Sequence, residues 1–180
     1  NLRARALSAL GRYAEAAALR ATRVAMLSAP EVGDYLGWAD EAARAGDPSA
    51  SLRALDAGLE RLRSLGAVAL TLDVANPASV SGLAWQLDGE KIDVALYVAG
   101  VLTRADARTP PTQPDFDNIM HTNVLGAMQA IPQVAPLVEA AQGRFGFITS
   151  DMARIAEVAS SYSWTYRVSK AALNMAVADR

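Results

Sequence analysis

The chain has 180 residues, 52% hydrophobic and 20% charged, which is room for one ordinary domain and enough apolar material for a buried core. A formal net charge of −2 without a basic cluster argues against a nucleic-acid surface, and no apolar run approaches the ~20 residues that span a bilayer. With no cysteine and one histidine, His121, disulfides, thiolate nucleophiles and histidine metal clusters are excluded, and no metal site is expected.

Residues 3 to 27 are rich in Ala, Leu and Arg, with Gly11 the only helix breaker before Pro30. This predicts two helices parted near Gly11. Residues 31–45 and 49–65 predict two more, split by Gly46-Asp47-Pro48. In the second, Leu52, Leu55, Leu59, Leu62 and Leu65 fall at helical spacing and predict one apolar face. Leu10 to Ala16 and Ala45 to Ser51 lie 35 residues apart and resemble the turns of tetratricopeptide helix hairpins. A competing reading makes Val24–Leu27 a buried strand and Ser51–Leu55 a second one ending at Asp56, the βαβ order of a dinucleotide-binding unit. Against it, the intervening loop keeps only Gly33, with Ala29 and Tyr35 where a pyrophosphate would need glycines.

From Ser64 the pattern alternates. Val68–Leu72 predicts a buried parallel strand ending at Asp73. Asn76-Pro77 opens a helix with Val80, Leu83, Ala84 and Leu87 inward. Ile92–Val98 predicts the next strand, closed by Ala99-Gly100. A long helical stretch runs from Asp115 to about Ala141, kinked or segmented by Pro132 and Pro136. Phe145–Thr149 predicts a third strand ending at Ser150, and a helix follows Tyr162. Such alternation implies a parallel sheet flanked by helices, with ligands at the strand C-termini. On the last helix Tyr166 and Lys170 are four apart and share a face. A fixed cation beside a phenol favours its ionised form and so suits it to proton transfer near neutral pH.

Leu72-Asp73-Val74, Tyr97-Val98-Ala99-Gly100, His121-Thr122-Asn123-Val124, Ile148-Thr149-Ser150 and Tyr166-x-x-x-Lys170 together resemble the short-chain dehydrogenase/reductase family, in the family's order. The resemblance implies a partial Rossmann-like α/β fold over residues 51–180, helices on both sheet faces, after a helical segment 1–50. It implies hydride transfer between NAD or NADP and a small carbonyl or alcohol substrate. Tyr166 would pass the proton, Lys170 would hold the nicotinamide ribose, Ser150 would donate to the substrate oxygen, and Asn123 would support a relay to the lysine. Asp73 and Val74 would meet the adenine, with Ala99 and Gly100 along the cofactor. Asp56, at a strand end, would bind the ribose 2′-hydroxyl. With no signal-type apolar core and no bilayer-length run, a reducing cytoplasm is the expected location. The resemblance implies a homodimer, since family members often pair through long helices.

Three departures bear on this. The glycine-rich loop is degraded, two Asn of the family's Asn-Asn-Ala-Gly turn are Tyr97 and Val98, and the family's last two strands are missing. With no initiator Met, the chain is expected to be a fragment. A non-catalytic binding scaffold or helical-repeat interaction module is therefore the alternative. Bland roles also stand beside the chemical ones: Ser150 as a cap, Asn123 as a helix irregularity, Asp73 as a turn residue, and Trp164 as a pocket wall or a helix cover.

Overall fold

The structure is a computed structural model that describes residues 2–178. It divides into two compact units, Asn1–Leu70 and Thr71–Arg180.

The first unit is helical: α1 Leu2–Ala9, α2 Tyr13–Met26, α3 Val32–Arg44 and α4 Pro48–Ser64, each packed on the next. Gly11 and Gly46 take φ of 73° and 78° in the turns before α2 and α4. A left-handed turn costs a side-chain-bearing residue about 1–2 kcal/mol, and glycine avoids that. Glu31 and Asp34 form a capping box on α3, and Asp47 accepts the Ala50 N–H to cap α4.

The βαβ reading of this region fails. Val24–Met26 ends α2 and Ser51–Leu55 lies within α4, so no strand precedes Asp56 among the described residues. Asp56 sits exposed on α4, and the strand end that was to make it a ribose ligand is absent. Ala-rich, Leu-rich sequence with capped ends favours helix over a short strand that would lack a partner. Leu52, Leu55 and Leu59 of α4, and Leu65 just past its end, keep the helical spacing yet remain exposed. The residues α4 buries are Ala54 and Gly58, with the Tyr35 β-carbon 3.1 Å from where a Gly58 side chain would begin.

The second unit runs α5 Pro77–Ser81, α6 Leu83–Gln86, β1 Val94–Tyr97, α7 Gln113–Met120, a π-turn His121–Leu125, α8 Gly126–Ala140, β2 Arg144–Phe147, two short 3-10 turns, and α9 Trp164–Val177. The strands pair in parallel with Tyr97 opposite Phe147, and the Ile148 N–H continues the ladder to the Tyr97 carbonyl at 3.0 Å. Gly100 and Ser150 thus each stand three residues past the end of a strand, at one edge of the sheet. Val80, Tyr97, Ala127, Ala130 and Leu173 form a core cluster, and Phe145 and Phe147, stacked on each other with centroids 4.5 Å apart, pack against it. Val94, Leu96 and Val98 alternate to the other side of β1 and are exposed.

Val68–Leu72 is not a strand, and its Val68, Leu70 and Leu72 are exposed. A short apolar run becomes a strand only when a neighbour completes its ladder, and β1 pairs only with β2 among the described residues. Pro132 and Pro136 lie inside α8 without ending it. Both are exposed and four apart, so the carbonyls they leave unpaired face water on one side. Among the described residues no helix is long and apolar enough to cross a membrane.

Leu173 is 0% exposed at the centre of this core, whereas Met175 on the same helix is 78% exposed. Leu173→Ala should destabilise the second unit by about 2–5 kcal/mol. Met175→Ala should change it by no more than about 0.5 kcal/mol. Denaturant unfolding of the two variants checks the assignment, and equal effects would contradict it.

Candidate active site

Helix α9 begins at Trp164 after Ser163, whose φ of 53° and ψ of 39° turn the chain sharply into the helix. Tyr166, Ser169 and Lys170 then follow at spacings of three and four, on one face. Lys170 is only 3% exposed, and its Nζ donates to the Ile148 carbonyl at 2.9 Å. That carbonyl belongs to the extension of β2 leading to Ser150. The ammonium lies 5.8 Å from the centroid of the Tyr166 ring, within cation–π range. Burial pushes the Lys170 pKa down, because a charge out of water is disfavoured.

Asn123 sits in the π-turn between α7 and α8 and is 0% exposed. Its Oδ1 accepts the Val101 N–H at 2.7 Å, and its Nδ2 donates to the Val101 carbonyl and to Ser169 Oγ, each at 2.9 Å. Every bonding direction that reaches protein here is used, as a buried amide requires. Ser169 Oγ donates in turn to the Tyr166 carbonyl at 2.8 Å. Gly100 closes the corner. A β-carbon on it would stand 3.3 Å from both Asn123 Oδ1 and Lys170 Nζ. Thr103 and Thr165 share a hydroxyl–hydroxyl bond of 2.6 Å, which ties the loop after β1 to the first turn of α9.

The structure therefore brings together Tyr166, Lys170, Asn123 and Gly100. Ser150 lies close along the chain to the Ile148 carbonyl, and α9 packs against the 3-10 turn Asp151–Ala153 that Ser150 caps. Its Oγ accepts the Met152 N–H and donates to Asp151 Oδ1, both at 3.2 Å. The capping role anticipated for it is thus real in this arrangement. Asp73 holds its own turn, accepting the Ala75 N–H at 2.9 Å. Val74 and Ala99 pack against the core. His121 is exposed. Trp164 lines a cleft of about 410 Å³ with Met152, Val158, Arg167 and Val168. Among the described residues no group of three or more His, Asp or Glu could hold a metal.

Three residues were not foreseen at the site: Ser169, Thr103 and Thr165. Ser169 had a signal, being on the Tyr166–Lys170 face. The bond between Thr103 and Thr165 spans 62 residues and had none.

Comparison with known proteins agrees with the geometry. A family profile described as enoyl-(acyl carrier protein) reductase matches residues 38–178. The chain belongs to the short-chain dehydrogenase/reductase family. Within it, the chain is 33% identical over 109 residues to the 1-hydroxy-2-glutathionyl-2-methyl-3-butene dehydrogenase of Rhodococcus sp. (strain AD45), covering 58% of this chain and 46% of that protein. It is 34% identical to a structure from Burkholderia multivorans assigned as a short-chain dehydrogenase/reductase with bound NADP, at a TM-score of 0.53, covering 59% of this chain and 46% of that one. An alcohol dehydrogenase of Thermococcus sibiricus complexed with 5-hydroxy-NADP shares the fold, at a TM-score of 0.60 and 21% identity, over 72% of this chain and 55% of that one. The chain spans about half the length of these relatives.

The lowered pKa of Lys170 sets a pH dependence. Below its folded pKa the buried ammonium is charged and disfavoured. Between that value and the ordinary lysine value of about 10.4, the unfolded chain holds a proton that the folded chain has lost, so stability rises with pH. Lys170→Met should abolish that rise. Unfolding free energies measured at intervals up to about pH 10 in both proteins test this, and parallel curves would refute it.

Proposed function

We propose that this chain carries the proton-transfer end of a nicotinamide-dependent oxidoreductase acting on a small carbonyl or alcohol. The observation that supports it is the closed corner of Tyr166, Lys170, Asn123 and Gly100. An ammonium at 3% exposure is costly to fold, and a structural role would be served by an apolar residue. The ammonium stands on the same face of α9 as Tyr166, 5.8 Å from the ring centroid. Tyr166 would give or accept the proton on the substrate oxygen. Ser150 would turn from Asp151 to donate to the same oxygen. Asn123 and Ser169 fix the backbone on which these groups stand.

The residues present suit the nicotinamide-ribose end of the cofactor. Lys170 offers a buried cationic donor, and Gly100 leaves open the space that a side chain would fill. Lys170 and Tyr166 would hold the ribose, and Ala99 and Gly100 would border it. A bound NAD or NADP would supply or accept the hydride. For the pyrophosphate, the described residues before β1 form no strand–glycine loop–helix, and Gly33 and Tyr35 lie in α3.

Tyr166→Phe should lower turnover with a small aldehyde or ketone by at least about 100-fold. Dinucleotide binding, followed by NADH and NADPH fluorescence, should stay within about threefold, since the ring and Lys170 remain. Undiminished turnover in the variant, or no binding of either dinucleotide by the unsubstituted chain, would overturn the reading.

A second reading is favoured by one observation. The glycine turns at Gly11 and Gly46 lie 35 residues apart, and each precedes its next helix, at Tyr13 or Pro48, by two residues. Residues 1–50, extended by α4, form a helical-repeat unit suited to binding another protein. If the turns are copies of one motif, Gly11→Ala and Gly46→Ala should each cost about 1–2 kcal/mol in thermal or denaturant unfolding. A cost at one position only would break the equivalence.

A further inference from the structure

Tyr97 is a buried phenol in the core of the second unit, with no part in the proposed proton transfer. Its ring packs tilted on Phe147, centroids 5.9 Å apart, among Val80, Ala127, Ala130 and Leu173. It stands where the family pattern has an asparagine. Burial pushes its pKa up to about 12, so the hydroxyl stays protonated and remains a donor.

The hydroxyl donates to the Thr122 carbonyl at 3.2 Å. In a regular α-helix that carbonyl would accept the N–H of Gly126, four residues on. Here the Gly126 N–H reaches back to the His121 carbonyl instead, the five-residue step of a π-turn. The Thr122 carbonyl is therefore released from that bond, immediately before Asn123. A buried carbonyl without a partner is costly, and Tyr97 supplies one. Gly126 makes the approach possible. A β-carbon there would stand 2.9 Å from Tyr97 Oη and 2.6 Å from the Val74 carbonyl.

We propose that Tyr97 is a positioning residue: its hydroxyl, admitted by Gly126, fixes the π-turn that aims the Asn123 amide at Val101 and Ser169. Bond by bond, the chain of contacts runs from the end of β1 through Thr122 and Asn123 to the Tyr166 carbonyl. Its effect on turnover rests on the function proposed above. Its effect on Asn123 does not.

The test is Tyr97→Phe, which removes one oxygen and keeps the ring in the core. In the full chain, Val101 N–H exchange should accelerate at least tenfold, and the Asn123 side-chain amide resonances should move toward those of a free amide. Cooperative unfolding should persist. With NADPH and a small carbonyl substrate, kcat should fall several-fold while KM holds. Unchanged Val101 exchange and unchanged Asn123 resonances would overturn the proposal. A second measurement needs no variant. The Tyr97 hydroxyl proton of the unsubstituted chain should exchange slowly and show a nuclear Overhauser contact to the Gly126 α-protons, and its absence would overturn the proposal too. Should neither dinucleotide bind while Val101 exchange still rises in Tyr97→Phe, the proposed function fails and the positioning role stands.

Discussion

A lysine ammonium withdrawn from water organises the second unit. Desolvating a cation costs several kcal/mol even after relaxation, so its surroundings must return hydrogen bonds and field. Here the return comes from three directions. The end of β2 offers the Ile148 carbonyl, α9 offers the face of Tyr166, and beyond the end of β1 Gly100 comes close without a side chain to crowd the ammonium. Each direction belongs to a different element. The parallel register that pairs Tyr97 with Phe147 is what makes two of them arrive together. A slip of one residue would turn the Ile148 carbonyl away and leave the ammonium without its acceptor.

Asn123 extends the same logic to the backbone. Its side chain bonds both the N–H and the carbonyl of Val101, as a neighbouring strand would, at a place where β1 has already ended. It does so from a turn widened by one residue, the π-turn from His121 to Leu125. The irregularity is therefore a device for aiming an amide, and it is anchored on the far side by Ser169.

Much of this was legible in the sequence. Tyr166 and Lys170 at helical spacing, the strands near residues 94 and 145, and the breaks at Gly11 and Gly46 all follow from local rules that the structure obeys. What local rules could not give was partnership. Val68–Leu72 has strand composition, yet a strand exists only by pairing, and among the described residues nothing pairs with it. The leucines of α4 have helical period, yet their period says nothing of what covers them, and they remain exposed. The π-turn was foreseen only as an irregularity at Asn123, because i to i+5 bonding depends on contacts with Tyr97 and Val101 that are distant in sequence. Ser150 illustrates a further limit. A cap and a substrate-oxygen donor are the same hydroxyl, and the residue alone does not say which bond it keeps.

The two units also separate family likeness from compactness. The profile match begins at residue 38, inside α3, whereas contacts divide the chain between Leu70 and Thr71. Yet each of the five blocks that carry the resemblance, from Leu72-Asp73-Val74 to Tyr166-x-x-x-Lys170, lies after that division. Each block also has a physical task there: Asp73 closes a turn, Gly100 admits the lysine, Asn123 clamps Val101, Ile148 receives the ammonium, and Tyr166 and Lys170 share a face. Where the resemblance departs, at Tyr97 and Val98, the Tyr97 hydroxyl bonds the Thr122 carbonyl and the valine beside it is exposed. The corner of Tyr166, Lys170, Asn123 and Gly100 therefore depends on bonds made wholly within the second unit.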